Sequence, residues 1–209
     1  MSLPELKITV FSDYICPFCY IGDARLNRLR ELYTLRVNWC FLEIHPDTPA
    51  AGMSVSKLGY DDATWQRMMS TLSHMAEEDG LKFREHDFTT NSHASLLLAE
   101  AVKRNASEHF YALHDSLFRV LFIDGENIGD PEVLRHIAID AGISPELVNQ
   151  AWEDPVYETH LKHYLEAAQE LNVRATPTFF IGDGKLRIDG AMPYEDMLKK
   201  IRTNESSTS

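Results

Sequence analysis

The sequence predicts an α/β fold interrupted by a large all-helical insertion. Three observations predict it: a strand–helix–strand unit at the start, a long middle stretch without strand signal, and a β-hairpin followed by a helix near the end. On this reading 1–48 and 172–204 make one discontinuous α/β unit and 49–171 make the insertion. The Ser/Thr-rich residues 205–209 read as a disordered tail.

Ile8-Thr9-Val10-Phe11 alternates as a strand does, and a helix follows from about Cys16 to Tyr33. Leu35 to Ile44 alternates again, so the helix is a crossover and the two strands are parallel. His45 to Gly52 is polar and Pro-bearing, a boundary loop. From Asp61 to about Leu171 helical periodicity takes over. Trp65, Met68, Met69, Leu72, Met75 and Ala76 make one apolar face; Ala94, Leu97, Leu98, Ala101 and Val102 make another. Ser107 opens a helix carrying Phe110, Leu113, Leu117 and Leu121. Asp130-Pro131, Ser144-Pro145 and Asp154-Pro155 each pair an N-cap residue with Pro at the first helical position, for about six helices in all. Thr178–Ile181, an Asp183-Gly184 turn and Lys185–Asp189 read as a hairpin, and a last helix runs from about Pro193 to Ile201.

A chain of 209 residues can bury a sizeable core. Its net charge of −12 argues against general affinity for nucleic acid or an anionic membrane. No run approaches 18 apolar residues and no secretory leader is visible, so a cytoplasmic location is expected. Three cysteines are too few for a structural disulfide framework, and Cys-x-x-Cys in a cytosolic protein signals redox or metal chemistry.

Cys16-Pro17-Phe18-Cys19 stands directly after the first strand, on the first turn of the first helix. Positions three apart share a helical face, so the thiols can close into a disulfide and open again. Unpaired backbone N–H groups and the helix dipole favour a thiolate at Cys16, the expected nucleophile. Cys19, one turn inward, is the expected resolving thiol. Pro17 stiffens the turn without losing a hydrogen bond, and Phe18 offers the thiolate no charge, which points to a mild oxidant or isomerase-like potential. Half of a zinc site and a pair of inert packed thiols are the competing readings; the helix-start placement favours redox, and no metal is assigned.

Cys40 alternates with its strand neighbours as a core residue. None of the nine histidines forms a His-Glu-x-x-His pattern; they read as solvated or cap-adjacent. Asp13 is either a solvated strand-end acid or a carboxylate that raises the Cys16 pKa. The Met and aromatic stripe of 65–76 is core between helices or a groove for unfolded substrate. The sequence leaves monomer and homodimer both open, and an exposed stripe on an insertion helix would suit a homodimer.

Ser12-Asp13-Tyr14-Ile15-Cys16-Pro17-Phe18-Cys19-Tyr20-Ile21-Gly22, Asn91-Ser92-His93-Ala94, Ala175-Thr176-Pro177-Thr178-Phe179-Phe180-Ile181 and Gly190-Ala191 together resemble the DsbA family. Within it the chain is similar to the FrnE-like branch, across nearly its whole length. The resemblance implies a thioredoxin-like fold and thiol–disulfide exchange with protein or small-thiol substrates. It also implies a cis Pro177 against the Cys16–Cys19 pair, with Pro17, Phe18, Thr176 and Pro177 facing the substrate. No bound cofactor is required, although glutathione is a candidate co-substrate. The alternative is a glutathione-dependent transferase or isomerase, of the kappa-class or hydroxychromene carboxylate isomerase type. Those relatives carry Ser where Cys16 stands, and both cysteines here favour the dithiol reading.

Overall fold

β1 (Glu5–Ser12) points Leu6, Ile8 and Val10 to one side and Phe11 to the other, and all four are buried. The structure, a computed structural model, describes residues 3–84 and 87–206. α1 (Pro17–Leu29) crosses over to β2 (Thr34–Phe41), which pairs with β1 in parallel, Glu5 opposite Thr34 and Ser12 opposite Phe41. Both expected boundaries move inward. α1 stops at Leu29, whose carbonyl takes the N–H of both Leu32 and Tyr33. β2 stops at Phe41, because the Ile44 N–H is given to the Asp13 carboxylate instead of to a ladder.

Among the described residues the insertion is helical, with one exception. β3 (Met53–Ser54) pairs antiparallel with β4 (Phe88–Thr89) inside the stretch expected to lack strands. Two residues a side leave no alternation to read. Gly52 at φ +79° leads into β3, and the Phe88 ring fills the space a side chain would need.

α2 (Asp62–Glu78), α3 (His93–Asn105), α4 (Phe110–Arg119), α5 (Pro131–Asp140), α6 (Pro145–Glu153) and α7 (Pro155–Glu170) complete the insertion. Asp130, Ser144 and Asp154 cap α5, α6 and α7, accepting from the backbone N–H of Glu132, Leu147 and Val156. Such a cap is worth about 1 kcal/mol. Ser107 does not cap: it is the first residue of a short 3-10 turn, Ser107–His109, that runs into α4, and a wider π turn, Val120–Asp124, continues α4 to Gly125. On α2 only Leu72 and Ala76 are buried; Trp65, Met68, Met69 and Met75 remain half-exposed.

β5 (Thr178–Ile181) returns beside β1, antiparallel, and turns into β6 (Leu186–Asp189), giving a sheet of order β2-β1-β5-β6. α8 (Tyr194–Ser206) closes the fold. It reaches two residues into the segment expected to be a disordered tail. The Ser206 hydroxyl donates to the Arg202 carbonyl, and the Tyr33 hydroxyl holds Glu205 at 3.2 Å; residues 207–209 lie outside the described residues.

Ile8, Val10, Trp39, Phe41, Phe179 and Ile188 of the sheet share one apolar cluster with Leu26 and Leu29 of α1 and Met197 and Ile201 of α8. Leu96, Leu98, Leu113, Leu117 and Phe118 of the insertion belong to the same cluster. The insertion therefore packs against the sheet through continuous apolar surface.

Candidate active site

β1 ends at Ser12, and the Cys16 N–H donates to the Asp13 carbonyl at 3.2 Å, closing a turn. Cys16 is the N-cap of α1, in extended conformation, with Pro17 at the first helical position. The Cys16 carbonyl accepts the N–H of Cys19 at 2.9 Å and of Tyr20 at 3.3 Å. Both cysteines are free thiols and buried, Cys16 5% and Cys19 2% exposed.

The two thiols are pushed apart in acidity. The Cys19 side chain hydrogen-bonds to Cys16 and is the main reason the Cys16 pKa is lowered; the Thr176 side chain and the Cys19 N–H add to this against burial. Burial holds the Cys19 thiol well above its usual range, and sharing a proton with Cys16 pushes it further. The helix-start N–H expected to set Cys16 is present, but it ranks behind the partner thiol.

Thr176 and Pro177 come from the loop before β5, some 160 residues away, and the Thr176 carbonyl lies 3.5 Å from Cys16 Sγ. The Thr176–Pro177 peptide bond is cis. Pro177 is buried against α1 at Gly22, where an added Cβ would lie 2.9 Å from Pro177 Cγ. Phe18 is half-buried and packs with Met69 and Met75 on Ile21, Leu72 and Ala191. The dithiol, Phe18, Thr176 and Pro177 thus meet at one place, beside the half-exposed methionines of α2.

Asp13 is fully buried, not solvated. Its carboxylate accepts the N–H of Ile15 at 3.2 Å and of Ile44 at 2.8 Å, yet burial outweighs these bonds and its pKa rises to about 7. Its charge opposes the Cys16 thiolate. Next to Ile44, Glu43 accepts from Asn91 Nδ2 at 2.9 Å and meets His93 Nδ1 at 3.1 Å, while His93 Nε2 meets Glu158 at 2.6 Å. Held between two carboxylates, chiefly by Glu43, His93 has a pKa raised to about 9.

The reading of the histidines as solvated or cap-adjacent fails for His114. It is wholly buried on α4, with Nδ1 2.9 Å from the Tyr14 hydroxyl and Nε2 3.2 Å from Asp23. Its place on the apolar face of α4, one residue after Leu113 and three before Leu117, was the available signal. Cys40 is a core thiol, under Ala168 and beside Phe11; burial pushes its pKa to about 11.

A family model described as DSBA-like thioredoxin domain matches residues 7–202. The chain belongs to the DSBA-like thioredoxin family. As a DSBA-like protein it is 27% identical over 181 residues to the uncharacterized protein YwbO of Bacillus subtilis, covering 85% of this chain and 88% of that one. Among solved structures it resembles the probable DsbA oxidoreductase SCO1869 of Streptomyces coelicolor, with TM-score 0.83, 23% identity, and coverage of 96% of this chain and 90% of that one. It also resembles the cytosolic disulfide reductase DsbM of Pseudomonas aeruginosa, with TM-score 0.69, 15% identity, and coverage of 94% and 99%. These likenesses agree with the DSBA-like fold, an α/β sheet carrying a helical insertion.

Proposed function

We propose that this DSBA-like protein is a dithiol oxidoreductase of the FrnE-like branch. The observation that carries the reading is the opposed acidity of Cys16 and Cys19 at the start of α1, under the Thr176 carbonyl. The Cys16 thiolate attacks a substrate disulfide, forming a mixed disulfide and releasing one substrate thiolate. Cys19 then passes its proton to solvent or to the leaving thiolate and attacks Cys16 Sγ. The second substrate sulfur leaves, and two electrons have moved from the dithiol to the substrate. The reverse sequence oxidises a substrate dithiol.

An extended substrate segment lies along Thr176, whose backbone recognises main chain, and Pro17, Phe18 and Pro177 form the contact surface around the sulfur. The adjoining half-exposed Met69 and Met75 favour apolar, unfolded protein segments. Glutathione is the small-thiol partner to test; DsbM has been solved with GSH. None of the described helices is long and apolar enough to cross a membrane, and a cytoplasmic location is part of the proposal.

The test is redox equilibration against a glutathione buffer series at pH 7, read by alkylation mass shift, for the natural protein, Cys16→Ser and Cys19→Ser. A reversible two-electron transition that disappears in both variants, with a mixed disulfide accumulating only in Cys19→Ser, is expected. Absence of an intramolecular disulfide at every poise overturns the dithiol reading. Undiminished glutathione-dependent turnover in Cys19→Ser would establish the transferase or isomerase alternative.

A further inference from the structure

The contact between α1 and α4 holds a donor set that disulfide exchange leaves unused. Asp23 comes from α1, and His114 and Asp115 are neighbours on α4; one ring nitrogen and one oxygen of each carboxylate lie within 4.8 Å of one another. His114 is wholly buried and Asp23 is 6% exposed, whereas Asp115 faces solvent, so the cluster opens outward at one corner.

Its geometry is fixed from behind. The Tyr14 hydroxyl, 2.9 Å from His114 Nδ1, orients the ring so that Nε2 faces Asp23, and Asn27 Nδ2 donates to the other Asp23 oxygen at 3.1 Å. This is the second layer of contacts that metal-binding imidazoles and carboxylates carry. The Asp23 and Asp115 carboxylates also sit together, one on each helix. The nearby Arg30 guanidinium is stacked 4.6 Å over the Tyr111 ring.

We propose that Asp23, His114 and Asp115 bind one first-row divalent cation of the zinc class. One imidazole nitrogen and two carboxylate oxygens, held on two packed helices with a fourth position open to solvent, suit such an ion better than calcium, which takes six or more oxygens. Binding uses the Nε2 lone pair. The single proton of the neutral imidazole then resides on Nδ1 and is donated to the Tyr14 oxygen, which can accept as readily as it donates. The ion would clamp α1 to the insertion at Asp23, seven residues after Cys16.

The experiment uses the full chain carrying Cys16→Ser and Cys19→Ser, which removes the thiolates that would compete for metal. After treatment with a chelator it is titrated with Zn2+ by calorimetry, alone and with Asp115→Asn or Tyr14→Phe added. Asp115 lies at the surface, so its variant should fold, as circular dichroism will verify. One equivalent of Zn2+ is expected, bound at least about tenfold more weakly in Asp115→Asn and about tenfold more weakly in Tyr14→Phe. The thermal midpoint should rise less at a given Zn2+ concentration in Asp115→Asn than where Asp115 is intact. No saturable binding, or an affinity unchanged by Asp115→Asn, overturns the proposal.

Discussion

Gly22 and Pro177 touch so closely that any side chain at Gly22 would collide: its Cβ would lie 2.9 Å from Pro177 Cγ and 3.0 Å from Phe179 Cζ. Gly22 is on the second turn of α1, below the dithiol, and Pro177 carries the Thr176 carbonyl that lies 3.5 Å from Cys16 Sγ. A helical glycine thus sets how near the distant loop comes to the sulfur.

Gly22→Ala should therefore act on both stability and chemistry. Overpacking costs about 1–3 kcal/mol and the better helix propensity of Ala returns about 1 kcal/mol, so a net loss of up to about 2 kcal/mol is expected in urea unfolding. The rate of exchange with a model disulfide should fall as Thr176 is displaced. A variant stabilised by about 1 kcal/mol would mean that the contact has room to give.

Asp13 should make stability fall as pH rises. Its folded pKa of about 7 lies above the ordinary 3.8, so the folded protein holds the proton more tightly than the unfolded chain. Its stabilising contribution is complete below about pH 4 and is lost as pH rises to about 7, on the order of 4 kcal/mol. Asp13→Asn should flatten that slope in urea unfolding measured from pH 4 to 8. It should also lower the Cys16 pKa, followed by iodoacetamide reaction rate against pH, since a charge opposing the thiolate is gone.

His93 should act at the alkaline end. Its pKa is raised from 6.5 to about 9, so the stability it contributes is present in full below about pH 6.5 and is lost as pH rises through 9. His93→Gln should lower stability at pH 7 by on the order of 1 kcal/mol, a modest amount because the 39% exposed side chain is screened by solvent. Natural protein and variant should converge above pH 9. Parallel pH profiles for the two would show that the Glu43–His93–Glu158 contacts do not carry charge.

Cys40 should be silent in the chemistry. Its thiol, at about 11, holds no thiolate at neutral pH. Native alkylation with mass detection should label Cys16 first and Cys40 only on unfolding. Cys40→Ala should cost about 1 kcal/mol of stability and leave the exchange rate and redox midpoint unchanged.

The dithiol was legible because its signals are local: a strand, a helix start and a cysteine spacing are all contained in Ile8 to Tyr20. The Asp-Pro and Ser-Pro helix starts were legible for the same reason, since cap and Pro act within one turn. Thr176 and Pro177 were reached through resemblance, and their contact with Cys16 spans 160 residues. Burial decided what the sequence left open at Asp13 and what it misread at His114. Asp13 and His114 carry polar side chains that suit solvent, and only the packing of β2, α3 and α4 around them encloses both. The start of the tail, 205–206, was misread because a Ser/Thr-rich end does not reveal that Tyr33, far upstream, holds Glu205.

By itself the sequence determined the order of elements, the parallel first unit, the helical insertion and the place of Cys16 and Cys19 on a helix start, because periodicity, capping and turn chemistry act between near neighbours. Only the tertiary structure decided what chiefly acidifies Cys16, how closely Gly22 admits Pro177, and which acids and histidines lie buried. Those properties depend on desolvation and on charges brought together across the chain, and neither exists until the sheet and the insertion have packed.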